Sequence, residues 1–316
     1  MIEIKNVSMI FEKKENKKAQ DNGRLKALDQ VSLTIPEGCV YGFLGSNGAG
    51  KSTLMRMMCG VYKIDEGSIT IDGEDVFNQA SAKEKIFFIN DETIQYSDFT
   101  LDDLSKYYAS YYVKFSFETY HRLVNRLELP TNKRMSEFSK GMKRQAIVII
   151  GLSCMTKYLL LDEAFDGLDP AMRKIVKDII IDEMLDRQAT VIVSSHNIAE
   201  INELCDKAML IHQGKLIFAD EIDDIKAGFR KVQIARKDAC VSIEELQRVG
   251  VDIVKYTSLG SVVQVIIKGD ENTILQKLSE IKTDFTEIVP MTLEEIFIYE
   301  LEARGYGTDI ITNTEG

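Results

Sequence analysis

No apolar run in the sequence approaches the roughly 18 residues that a bilayer-spanning helix needs; the longest, such as Ala146 to Met155, stop well short. The chain is therefore not expected to cross a membrane by itself. Met1-Ile2-Glu3-Ile4-Lys5 lacks the basic stretch and following apolar segment of a secretory signal, which makes the cytoplasm the expected compartment. Cysteine is sparse: Cys39, Cys59, Cys154, Cys205 and Cys240 form no C-x-x-C pair, and three lie inside apolar runs. Reduced, buried thiols fit that pattern better than disulfides or a zinc site. Excess positive charge is also missing, since 39 basic against 50 acidic side chains leave a formal charge of −11. Such a field would repel a polyanion, so no nucleic-acid partner is expected, although a local phosphate site is allowed. Neither an internal repeat nor a low-complexity tract is visible.

What is present is a packed two-part chain. Its 316 residues suggest about two domains, and the acidic stretch Asp220 to Asp224 marks a composition shift between them. The expected division is 1–220, 221–306 and a polar tail, 307–316. Ile2 to Val7 and Val31 to Ile35 alternate like half-exposed strands, with the charged segment Lys13 to Lys26, which contains Asn22-Gly23, read as a hairpin loop. Val40 to Leu44, Tyr158 to Leu161 and Val191 to Val193 are instead continuously apolar, as strands of a parallel sheet are when helices cover both faces. Each ends in polar residues: Gly45-Ser46-Asn47, Asp162-Glu163 and Ser194-Ser195-His196. Ligands of such sheets bind beyond the carboxyl ends of the strands, so the three ends are expected to converge. Beyond residue 228 a smaller α+β pattern follows, closing with a helix whose start, Thr292-Leu293-Glu294-Glu295, has the form of a capping box.

Gly45-Ser46-Asn47-Gly48-Ala49-Gly50-Lys51-Ser52 matches G-x-x-x-x-G-K-[ST], placed after a strand and before a helix. The glycines let successive backbone N–H groups face inward, and the following helix adds its positive end, making a cradle for phosphate oxygens. Lys51 would sit on the β- and γ-phosphates of a nucleoside triphosphate, the Ser52 hydroxyl on Mg2+, and Thr53 near the α-phosphate. The methionines of the helix that follows, ending at Gly60, are read as core filling. Asp162 and Glu163, delivered together by a buried strand, point to opposite sides. Asp162 is thus the candidate magnesium-side carboxylate and Glu163 the candidate general base toward an attacking water.

These residues resemble the ATP-binding subunits of ABC transporters over about 220 residues. The match extends to Phe138-Ser139-Lys140-Gly141-Met142-Lys143-Arg144-Gln145, which is similar to the family's L-S-G-G-Q signature loop, with Lys140 and Met142 in place of Gly and Gln. The resemblance implies an α/β P-loop ATPase fold with a helical subdomain, here followed by the small α+β domain. It also implies that Ser139 and Gly141 contact the γ-phosphate held by an opposite subunit, so that a homodimer or heterodimer encloses ATP. Gly167-Leu168-Asp169 resembles the loop that crosses that interface, with Asp166 where Ser is common. His196 resembles the switch histidine on the γ-phosphate, and Phe11 the aromatic that stacks on adenine, a core Phe being the alternative. Asp91 stands where most members carry the glutamine that approaches magnesium and water, and is expected to bind magnesium.

The acidic Asp91, the opening Ile2 to Val7 and the closing Leu293 to Phe297 look most like the bacterial group serving ABC-2-type exporters, some acting on antimicrobial or cytolytic peptides. The resemblance implies a transmembrane permease on a separate chain, which would hold this subunit at the inner face of the membrane. Tyr107, Tyr108, Tyr111, Tyr112 and Phe115 fall at helical spacing; they either pack internally or line a groove for that permease. The rival readings are a soluble ATPase of the same type acting on ribosomes or DNA, and a regulatory ATP-binding module without turnover.

Overall fold

The computed structural model describes residues 1–12, 24–90, 96–237, 240–304 and 306. The chain divides into two compact units, Met1–Ala219 and Asp220–Gly316. In chain order the first holds β1 (Ile2–Glu12), β2 (Arg24–Ile35), β3 (Val40–Leu44), α1 (Lys51–Met58), β4 (Glu66–Ile71), β5 (Glu74–Asp75), α2 (Ala80–Glu84) and β6 (Ile86–Ile89). Then come α3 (Leu101–Ala109), α4 (Phe117–Arg126), α5 (Lys140–Ser153), β7 (Tyr158–Asp162), α6 (Pro170–Arg187), β8 (Thr190–Ser195), α7 (Ile198–Leu204), β9 (Lys207–His212) and β10 (Lys215–Glu221).

A six-stranded sheet ordered β10-β9-β3-β8-β7-β6 forms the centre of this unit. Strands β9, β3, β8, β7 and β6 pair in parallel. The three continuously apolar runs are β3, β7 and β8, adjacent in space and buried at every position. That burial is why their side chains show no alternation. A second sheet, β2-β1-β4-β5, is antiparallel. Its first hairpin is longer than the sequence suggests: β2 begins at Arg24 and pairs as far as Glu12 with Arg24, so Lys26 belongs to a strand, while 13–23 lie outside the described residues. Register shifts between Ile4 and Ile10, with Asn6 and Gln30 at positive φ, break the alternation that would have announced these longer strands. Met55, Met57 and Met58 on α1 are fully buried between the sheets' core residues, as expected of core filling.

The aromatic stretch is not one helical face. Helix α3 ends at Ala109, and the turn that follows carries Tyr111 and Tyr112. Tyr108 and Tyr112 pack on Phe87 at 5.3 and 5.6 Å between ring centroids, and the Tyr112 hydroxyl donates to the Ile86 carbonyl (3.1 Å). Tyr111 is 64% exposed and stacks against Tyr107. Packing thus claims one part of the stretch and leaves the other at the surface.

The second unit contains α8 (Ile222–Ala227), β11 (Phe229–Ala235), α9 (Ile243–Arg248), β12 (Asp252–Leu259), β13 (Val262–Lys268), α10 (Glu271–Leu278), β14 (Phe285–Val289) and α11 (Leu293–Ala303). Strands and helices from β11 to β14 follow the order βαββαβ in an antiparallel sheet β12-β13-β11-β14, the ferredoxin-like arrangement. Alternate residues Val232, Ile234, Val263, Val265 and Ile267 turn one face onto α9 and α10. Thr292 and Glu295 form the capping box read from the sequence. Ile234 is fully buried there, so Ile234→Ala is expected to destabilise this unit by about 2–5 kcal/mol, read as a lowered denaturation midpoint.

Candidate nucleotide site

The loop 45–50 leaves β3 and enters α1 with Gly50 at φ 114° as the residue before the helix. A Cβ on Gly50 would stand 2.8 Å from the Ala27 carbonyl oxygen, and one on Gly45 would stand 2.4 Å from that of Ile211. Neighbouring backbone therefore dictates glycine at both ends of the loop. Ala49 donates its N–H to the Ser46 carbonyl (3.1 Å), closing the turn, while Asn47 and Gly48 form its exposed tip.

Lys51 is buried, and its Nζ donates to the carbonyls of Gly45 (2.6 Å) and Ser46 (3.3 Å). Nζ also lies 3.6 Å from Glu163 Oε1. Burial lowers the Lys51 pKa, opposed by the charges of Glu163 and Asp162. The Ser52 hydroxyl donates to Asp162 Oδ1 (2.9 Å), joining the first turn of α1 to the end of β7. Thr53 follows on α1, partly buried.

Glu163, one residue on, has φ 49°, so its carboxylate leaves the strand in a different direction from that of Asp162. Its Oε2 lies 3.0 Å from His196 Nδ1, which extends from the end of β8. Burial pushes the Glu163 carboxyl up, Lys51 and His196 pull it down, and the net shift is upward. A buried carboxylate with raised proton affinity has the character of a general base. Ligand atoms of Glu163, Asp166 and His196 lie within 4.8 Å of one another.

One contributor was not assigned from the sequence. Ser194 donates to Asp162 Oδ1 (2.5 Å) and accepts the Glu163 N–H (3.2 Å), so one hydroxyl fixes both acids. The polar end of β8 was its only signal. Removing the hydroxyl with Ser194→Ala is expected to raise the magnesium needed for half-maximal turnover about 10-fold, measured by titrating magnesium at fixed ATP.

Ser139, Gly141 and Phe11 make none of these contacts. Ser139 is the N-cap of α5, its hydroxyl accepting from Met142 N (3.2 Å), and the helix starts at Lys140. A Cβ on Gly141 would lie 3.4 Å from the Gly167 carbonyl, so this helix start faces the loop 166–169. Among the described residues, no hydrogen bond or ion pair joins Ser139 to Lys51, Asp162 or Glu163. Phe11, near the end of β1, meets Tyr62 edge-on at 5.7 Å. Asp91 lies outside the described residues. No helix of the described residues is long and apolar enough to cross a membrane.

The family model described as "ABC transporter" matches residues 28–166. The chain is 28% identical to the ABC transporter ATP-binding protein YtrB of Bacillus subtilis over 290 residues, covering 92% of this chain and 97% of that protein. It is 32% identical to the bacitracin transport ATP-binding protein BcrA of Bacillus licheniformis over 213 residues, covering 66% of this chain and 69% of that protein. A solved structure of an ATP-binding subunit of an ABC transporter superimposes with a TM-score of 0.61 at 25% identity, over 72% of this chain and 92% of the other.

Proposed function

The chain belongs to the family of ATP-binding subunits of ABC transporters and is the ATPase subunit of such a transporter, and from that premise we propose that it binds MgATP between two subunits and uses closure and hydrolysis to drive a separate transmembrane permease. The observation that carries the reading is the junction of three parallel strand ends: Ser52 on Asp162, Lys51 beside Glu163, and Glu163 on His196.

In this proposal the loop N–H groups of residues 46–50 and Lys51 hold the β- and γ-phosphates, with Thr53 nearer the α-phosphate. Ser52 and Asp162 present hard oxygen donors 2.9 Å apart, the chemistry magnesium takes, and Asp91 is the proposed third. Bound there, magnesium would neutralise charge on the phosphates. Glu163 accepts the proton of the attacking water at its carboxylate. His196 holds Oε2 of Glu163 and contacts the γ-phosphate. Phe11 is the proposed platform for adenine. Ser139 and Gly141 reach the γ-phosphate bound by the other subunit, which an anion-seeking helix start beside the loop 166–169 supports.

The subunit is proposed to work at the cytoplasmic face of the membrane for an exporter of antimicrobial or cytolytic peptides. The likeness to BcrA, named for bacitracin transport, supports that cargo class. The proposed domain limits are 1–220 for the ATPase and 221–306 for the accessory domain. Reconstitution of the subunit and its permease in vesicles tests the cargo: ATP-dependent movement of a bacitracin-type peptide is expected, and hydrolysis that no such peptide alters would overturn that part.

A further inference from the structure

Four side chains around His196, those of Arg173, Ser195, Asn197 and Glu200, have no part in the scheme above. Glu200, 6% exposed on α7, accepts from two directions: Ser195 Oγ donates to its Oε2 (2.8 Å) and Arg173 Nη1 to its Oε1 (2.8 Å). Ser195 Oγ in turn accepts the Asn197 N–H (3.0 Å), and the Asn197 side chain accepts from Ala199 N (3.0 Å). Both neighbours of His196 are thereby pinned to the start of α7, and the ring between them is aimed at Glu163 Oε2. Arg173 lies one turn into α6, whose first turn is capped by Asp169, the last residue of the loop 166–169. Two ion pairs, Arg173 with Glu200 and Lys177 with Glu203 (3.0 Å), therefore join that loop's helix to α7, and the first of them continues through Ser195 to the turn bearing His196. Among the described residues the buried Arg173 Nε has no hydrogen-bond partner, so the guanidinium fork holds Glu200 by one arm only. A buried donor left unmade costs free energy that a two-armed contact would recover.

We propose that Glu200, held by Arg173, is the positioning residue that sets the His196 ring against Glu163 and makes its placement respond to the α6 start. The inference rests on the reading of His196 as a γ-phosphate contact. In this proposal Glu200 acts through Ser195 and the backbone of the 195–197 turn. The alternative, a purely structural ion pair, would lower stability without depending on what residue 196 is.

The test is a cycle on the full chain, with turnover read as phosphate release and nucleotide binding as KM for MgATP. Glu200→Ala is expected to lower kcat about 10–100-fold with KM changed less than about threefold, since misplaced supporting groups cost rate more than binding. Arg173→Met, which keeps most of the packing, is expected to lose about 3–10-fold in kcat and serves if Glu200→Ala fails to fold. In a His196→Ala background either substitution is expected to cost less than about twofold more, because residues acting through one another are not additive. The same fold-loss in both backgrounds would overturn the proposal while leaving the role of His196 intact. Full turnover in His196→Ala alone would remove the role of His196 and this inference with it.

Discussion

Glu163→Gln is expected to lower ATP turnover about 10²–10⁴-fold while leaving MgATP bound, because the amide keeps the shape of the carboxylate and cannot take a proton. The arrangement around it sets that size. Burial raises the proton affinity of Glu163, and Lys51 at 3.6 Å and His196 at 3.0 Å keep its two oxygens in fixed directions. Glutamine would retain the contact with one of these partners and forfeit its charge toward both. Phosphate release and equilibrium binding of a fluorescent ATP analogue separate the two effects; near wild-type release by the variant would remove Glu163 from the role of base.

Lys51→Ala is expected to weaken MgATP binding about 10–100-fold, the equivalent of losing charge-assisted contacts of about 1.5–3 kcal/mol. Turnover should fall further than binding, since Lys51 on the β- and γ-phosphates would also face the negative charge that develops on the leaving β-phosphate oxygen as the bond breaks. Lys51 is held on the carbonyls of Gly45 and Ser46, within the loop that would cradle the phosphates, so its removal also frees that loop. The measurement is a binding isotherm beside single-turnover hydrolysis; unchanged affinity would contradict the assignment of Lys51 to the phosphates.

The legible parts of this molecule were those in which chemistry and local pattern coincide. The strands β3, β7 and β8 could be read because full burial makes them continuously apolar, and the polar residues at their ends proved to be neighbours. The loop 45–52 could be read because backbone contact with Ala27 and Ile211 leaves glycine as the residue that fits. The longer hairpin of β1 and β2 was hidden by bulges, where Asn6 and Gln30 take positive φ and alternation fails. The aromatic stretch misled for a related reason: its spacing continues past Ala109 although the helix does not.

Ser194, Arg173 and Glu200 were hidden differently. Ser194 meets Asp162 across 32 positions, and Arg173 meets Glu200 across 27; their roles come from the sheet order that brings β7, β8 and α6 together. Spacing along the chain records no such pairing. Gly141 and Ser139 show the same limit from the other side, since their motif was plain while their partner belongs to a second subunit in the proposed assembly.

The central claim is that hydrolysis at the Lys51, Asp162 and Glu163 junction serves a membrane-bound partner. It is tested most directly by the rate of phosphate release from MgATP in the complex isolated from detergent-solubilised membranes, carrying either the wild-type chain or Glu163→Gln. The account predicts a multispanning membrane protein retained with both chains and a rate about 10²-fold or more lower with the variant. A chain that leaves solubilised membranes without such a partner, or equal rates from the two complexes, would contradict it.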